Sequence, residues 1–222
     1  MISRSNLADL NGKLESRGAR LVAVSKTHAP EAIFPMYEAG QRLFGENRVQ
    51  ELLEKQPVLP QDVEWHLIGH LQRNKVRFIA PFVAMIHSVD SERLLEEVHR
   101  QAEKLGRDIP VLLQVHIAQE ETKFGWSAEE LELWLAAGHR KQYPHARIHG
   151  VMGMATFTDN RDQVRMEFRS LRQLFDRLKE GVFAGIPEFC ECSMGMSGDW
   201  EIAVEEGATL VRIGSLLFGQ RS

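Results

Sequence analysis

Short apolar runs rich in β-branched residues alternate along this chain with segments whose apolar positions recur every three to four residues. The first pattern reads as buried strand and the second as amphipathic helix. An opening helix is expected over residues 3–18, closed by Gly18. The run Arg20-Leu-Val-Ala-Val-Ser-Lys26 is the first strand, and Pro30 suits the first turn of a helix that reaches Ala39 and stops at Gly40. Arg42-Leu-Phe44 opens through Gly45-Glu-Asn-Arg48 into a helix ended by Pro57. Residues 63–68, 82–87, 110–117, 147–152, 189–193 and 209–214 read as six further strands. Helices are expected near 73–80, after an Asp90 or Ser91 N-cap, from Ser127 to Ala137, from Asp162 to Lys179 and over 198–206.

Parallel neighbours need crossover helices, so eight strands separated by helices predict a parallel sheet. Eight strands in 222 residues predict an α/β chain folded as a single (β/α)8 TIM barrel with an extra N-terminal helix, one domain over residues 1–222. A doubly wound open sheet is the alternative, but no G-x-G-x-x-G follows the first strand, and Gly150-Val-Met-Gly153 lacks a third glycine. The loop at 118–126 is the expected lid or rim element.

In such a barrel the active end is the one where the strands terminate, with a phosphate site often built after strands seven and eight. Lys26 ends the first strand. Alone, it reads more readily as a solvated rim charge than as a desolvated, nucleophilic amine. The loop Ser193-Met-Gly-Met-Ser197-Gly-Asp199 runs into a helix and offers backbone N–H groups and hydroxyls, as does Gly214-Ser215. Alone, such clusters are usually plain turns. Arg212 lies two residues before Gly214 on the same strand face, where a guanidinium is costly unless it meets an anion or a polar ring. Barrel closure makes strand eight the neighbour of strand one, so these groups converge on Lys26. A phosphate-bearing aldehyde held by a lysine, with arginine facing its ring nitrogen, is pyridoxal 5'-phosphate (PLP).

The segments Val24-Ser-Lys26-Thr, Phe44-Gly-Glu-Asn-Arg-Val-Gln-Glu51, Trp65-His-Leu-Ile-Gly-His-Leu-Gln-Arg-Asn-Lys75, Gly150-Val-Met-Gly-Met154, Ser193-Met-Gly-Met-Ser197 and Val211-Arg-Ile-Gly-Ser215 resemble those of YggS-type pyridoxal phosphate homeostasis proteins, across about residues 20–219. That family resembles the barrel domain of alanine racemase standing alone. The resemblance implies that Lys26 carries PLP as an internal aldimine and that Ser197, Gly214 and Ser215 hold its phosphate. It also implies Arg212 near the phosphate or ring nitrogen and Asn47 beside the ring. The implied role is that of a vitamin B6 carrier or regulator without established catalysis, with PLP-dependent apo-enzymes as candidate recipients. Two departures stand out: His116 replaces the family's usual asparagine, and the first helix looks short.

A ring nitrogen facing arginine stays largely unprotonated, which weakens PLP as an electron sink. The tyrosines, Tyr37 and Tyr143, are both expected in or near helices away from the strand ends, so no catalytic residue is assigned. A PLP-dependent racemase of low activity and a Schiff-base aldolase acting on a phosphorylated substrate are the enzyme alternatives. The pairs His66/His70 and His145/His149 have the spacing of helical zinc ligands but lack a third ligand, so no metal is expected. Cys190 and Cys192 are expected to be a reduced, inert, buried pair rather than a disulfide framework. A net charge of -4 with pI ≈ 6.2 gives no electrostatic ground for nucleic acid, and Arg73-Asn-Lys75-Val-Arg77 reads as a solvated helix face. With no signal-like start and no eighteen-residue apolar run, a cytoplasmic protein without membrane contact is expected, and a monomer is favoured.

Overall fold

A computed structural model describes residues 4–118 and 124–219. Eight parallel strands close in sequence order: β1 (Arg20–Val24), β2 (Leu43–Glu46), β3 (Glu64–Leu67), β4 (Met85–Val89), β5 (Ile109–Gln114), β6 (Ala146–Met152), β7 (Glu191–Ser193) and β8 (Leu210–Ile213). The ring is sealed by the β1–β8 pairing, with Val22 opposite Arg212. Around it lie α1 (Arg4–Glu15), α2 (Phe34–Glu38), α3 (Val49–Lys55), α4 (Val76–Ile79), α5 (Glu92–Lys104), α6 (Ala128–Ala136), α7 (Arg161–Glu180), α8 (Trp200–Glu205) and α9 (Ser215–Phe218). The predicted TIM barrel and its N-terminal helix are both present. The loop expected at 118–126 falls largely on residues 119–123, outside the described residues.

Side chains alternate across each strand, so the barrel has two apolar compartments. Val22, Met85, Leu112, Met152 and Leu210 fill the interior. The larger compartment lies between strands and helices, where α5 buries Leu94, Leu95, Val98 and Ala102 and α7 buries Phe168, Leu171, Phe175 and Leu178. Ser127 and Glu130 form a reciprocal capping box on α6. Ser91 occupies the N-cap position of α5, but its hydroxyl goes to Asp90 instead of the helix.

The strands are shorter than their apolar runs, for physical reasons that differ. β1 stops at Val24, and Ser25 and Lys26 enter a turn. β4 starts at Met85 because Phe82 and Val83 close the preceding helical turn, their amides bonded to Ile79. β7 starts at Glu191 because Phe189 packs outward, stacked on Phe183 and Phe175. Cys190 therefore precedes the strand and is exposed while Cys192 is buried, which corrects the expectation of a buried pair. Among the described residues, no helix is long and apolar enough to cross a membrane.

Candidate functional site

At the mouth of the barrel, Lys26 sits half-buried in a four-residue turn closed by the His28 amide donating to the Ser25 carbonyl at 3.1 Å. The ring of His28 stacks on Phe218 of α9, with centroids 4.9 Å apart. That contact joins the lysine turn to the segment after β8.

The loops after β7 and β8 interlock beside it. Gly214 stands at the N-cap position of α9, and its amide donates to Ser197 Oγ at 3.2 Å. Acting as acceptor there, the Ser197 hydroxyl keeps its hydrogen for another partner. A Cβ at Gly214 would lie 3.0 Å from the Val24 carbonyl, so glycine lets the chain leaving β8 pass close to β1 without displacing it. Gly195, at φ +91°, makes the bend after β7, and the Met196 amide donates to Asp199 Oδ1 at 2.5 Å. Ser215, exposed, is the first residue of α9.

Arg212 projects into the interior from β8 and is 4% exposed. Its Nη1 donates to Ser193 Oγ at 2.7 Å and its Nη2 to the Gly153 carbonyl at 3.0 Å. Both acceptors are neutral, and burial pushes the guanidinium pKa down to about 10. Asp199 is the nearby opposite charge that raises it, and burial pushes the Asp199 carboxyl up in turn. A buried cation with donors still to satisfy fits an anion or an aromatic nitrogen.

Behind Arg212 a polar chain runs into the barrel. Ser193 Oγ lies 3.0 Å from His87 Nδ1, and His87 Nε2 lies 2.9 Å from His66 Nδ1. With Ser193 accepting from Arg212, a consistent proton arrangement directs the Ser193 hydrogen at His87 Nδ1 and leaves His87 Nε2–H to donate to His66. Burial first, then the Arg20 charge, pushes His66 down to about 3; burial, His66 and Arg212 push His87 well below its usual range. Both rings are neutral. They hold Ser193, and through it Arg212, without adding charge.

The structure thus joins Ser193 to Arg212 and Ser197 to Gly214, and packs Gly214 on the strand that leads to Lys26. Asn47 follows β2, half-buried, its carbonyl 2.3 Å from where a Gly69 Cβ would stand. His66 is separated from His70, which is exposed beside Asp90 at 3.2 Å; His145 pairs with Asp108 at 2.8 Å. Among the described residues no group of three metal-ligating side chains assembles. His116 follows β5, its amide bonded to the Trp126 carbonyl. The roles of His66, His87 and Asp199 were not foreseen. The alternation of Trp65 and Leu67 outward with His66 inward was the one available signal for the first of them.

The sequence profile of the alanine racemase N-terminal domain matches residues 3–222. The chain belongs to that family. Within it, the chain is 42% identical over 204 residues to the pyridoxal phosphate homeostasis protein of Aquifex aeolicus, covering 91% of this chain and 87% of that protein. PipY of Synechococcus elongatus, solved without PLP, superposes with a TM-score of 0.90 at 39% identity, covering 98% of this chain and 100% of PipY. PipY with PLP bound superposes with a TM-score of 0.86, covering 97% and 99%. The family barrel therefore runs here from α1 to α9, and the interlocked loops after β7 and β8 lie within the matched length.

Proposed function

We propose that this protein binds pyridoxal 5'-phosphate at the barrel mouth, covalently through Lys26, and serves vitamin B6 homeostasis as a carrier or regulator. The observation that carries this reading is Arg212, a buried guanidinium held by neutral oxygens next to the interlocked loops after β7 and β8. Ser197, Gly214 and Ser215 would hold the phosphate, and Ser193 would steady Arg212 against the ring nitrogen. Asn47 would flank the ring. When bound, the cofactor would supply an electrophilic aldehyde carbon, and Lys26 would be the amine that holds it. The PLP-bound state of PipY, at 39% identity, supports the assignment.

A carrier role agrees with the placement of the tyrosines. Tyr37, inside α2, donates to Asp62 at 2.6 Å; Tyr143 precedes β6, at the opposite end of that strand from the mouth, and donates to Glu92 at 2.9 Å. Burial and Glu92 push the Tyr143 hydroxyl up to about 12. Neither stands ready to take a proton at the mouth. A supply role implies a cytoplasmic monomer that hands PLP to apo-enzymes. The test is the absorption spectrum of PLP-loaded protein before and after borohydride, beside Lys26→Ala. A violet-edge band that borohydride bleaches, with added mass on Lys26, is expected. A colourless protein that takes up no PLP overturns the reading.

A further inference from the structure

Thr27 has φ +67°, the one non-glycine residue among the described residues in the left-handed region. It is the third residue of the Ser25–His28 turn, a position that favours glycine or asparagine; a β-branched residue there is strained. Such strain persists only where the surroundings over-determine the backbone.

The surroundings here are α3. Glu51 Oε2 accepts from the Thr27 amide at 2.5 Å, and Lys55 Nζ donates to the Ser25 carbonyl at 2.8 Å. These are the two peptide units flanking Lys26, so the helix fixes both planes from which the lysine side chain departs. Glu51 and Lys55 are spaced i, i+4 and share a face of α3, with 3.7 Å between their charged atoms. Lys55 is itself anchored on Glu46 Oε1 at 2.6 Å, which also accepts from Ser25 Oγ at 2.6 Å. Nothing in this assembly is needed to close the barrel, since β1 and β2 already pair at Ala23–Phe44 and Val24–Gly45.

We propose that Glu51 is a positioning residue for Lys26: its carboxylate clamps the Thr27 amide and holds the strained turn that presents the lysine at the mouth. The proposal rests on Lys26 being the PLP-bearing residue. A covalent holding residue gains retention from a backbone already set in the bound geometry.

The experiment compares wild type, Glu51→Ala and Glu51→Ala/Thr27→Gly in two states. In the cofactor-free protein, amide exchange at Thr27 is followed by NMR. In the PLP-loaded protein, release is followed after dilution as PLP that passes an ultrafiltration membrane, with the violet-edge band lost from the retained protein. Glu51→Ala is expected to speed Thr27 exchange and PLP release roughly tenfold each while the thermal midpoint stays near wild type. Thr27→Gly, which adopts positive φ without a clamp, is expected to return release to within about threefold of wild type. Unchanged exchange and release in Glu51→Ala overturn the proposal, and so does a release defect that Thr27→Gly leaves in place. A wild-type protein that takes up no PLP overturns the Lys26 reading instead, and the exchange measurement still decides the clamp.

Discussion

Arg212 Nη1 donates to Ser193 Oγ at 2.7 Å, tying the inner face of β8 to the last residue of β7. A charge-assisted bond of this kind is worth about 1.5–3 kcal/mol when its partner is lost. Arg212→Met is therefore expected to weaken PLP binding roughly ten- to hundredfold, by the usual conversion of free energy to affinity. Arg212→Lys keeps the charge and loses the fork, so it recovers only part of that loss. Absorbance titration with PLP checks both. Equal affinity in all three proteins would remove Arg212 from the site.

The neutral histidine pair makes stability depend on acid. His66 in the fold protonates only near 3, against 6.5 in the unfolded chain. Between those values the unfolded state holds a proton that the native state refuses. The stabilisation is therefore complete above the unfolded value and lost as pH falls toward 3, at about 1.4 kcal/mol per pH unit. His87 is shifted in the same direction. Urea midpoints measured from pH 7 to pH 4 are expected to fall, and His66→Gln, which cannot take the proton, is expected to flatten that decline. A decline of equal slope in the variant would assign it to other groups.

How much of this was readable from the chain differs by element. The barrel was legible because strand runs alternate with helical periodicity and little else intervenes. The placement of Lys26, Arg212 and Gly214 at or just beyond the C-terminal ends of β1 and β8 was legible because each lies in a short motif beside an apolar run. The histidine chain was hidden because its contacts join residues distant in sequence, His87 to Ser193 across 106 positions. The end of β1 was misread for a related reason: the polar groups of Ser25 and Thr27 bond to α3, which an apolar run cannot announce. Glu46, at the end of β2, and Lys55, at the end of α3, are both buried, a pairing that their separate places in the chain do not announce.

Gly195 offers a test of the loop after β7. At φ +91°, with a Cβ 2.5 Å from Ala203 Cβ, an alanine would be both strained and overlapping. Gly195→Ala is expected to lower stability by about 1–3 kcal/mol through the shift it forces in α8. PLP affinity should fall further than stability alone predicts, because Ser197 rides on the same loop. Paired urea and PLP titrations check this, and unchanged affinity would detach the loop from phosphate binding.

The thiols should separate by accessibility. Burial pushes Cys192 up to about 12 and also raises Cys190, which is nonetheless exposed. Since the thiolate is the reactive species, a disulfide reagent at pH 8 is expected to titrate Cys190 slowly and Cys192 only after denaturation. Two fast thiols in the native protein would contradict the burial of β7.

The Glu46–Lys55 pair separates stability from function. Glu46 is fully buried, its Oε2 has no hydrogen-bond partner among the described residues, and burial raises its pKa despite Lys55 at 2.6 Å. Removing only the cation leaves a buried carboxylate uncompensated, so Lys55→Met is expected to lose about 3–5 kcal/mol. Replacing both with apolar residues removes the desolvation burden together with the attraction, so Glu46→Leu/Lys55→Met is expected to regain most of it. Yet the double variant loses the Lys55 ammonium from the Ser25 carbonyl, leaving the His28 amide there, and loses the Glu46 acceptor of the Ser25 hydroxyl. Its urea midpoint should approach wild type while PLP release stays fast. If release returned to the wild-type rate along with stability, the buried pair would be a packing element with no hold on the lysine turn.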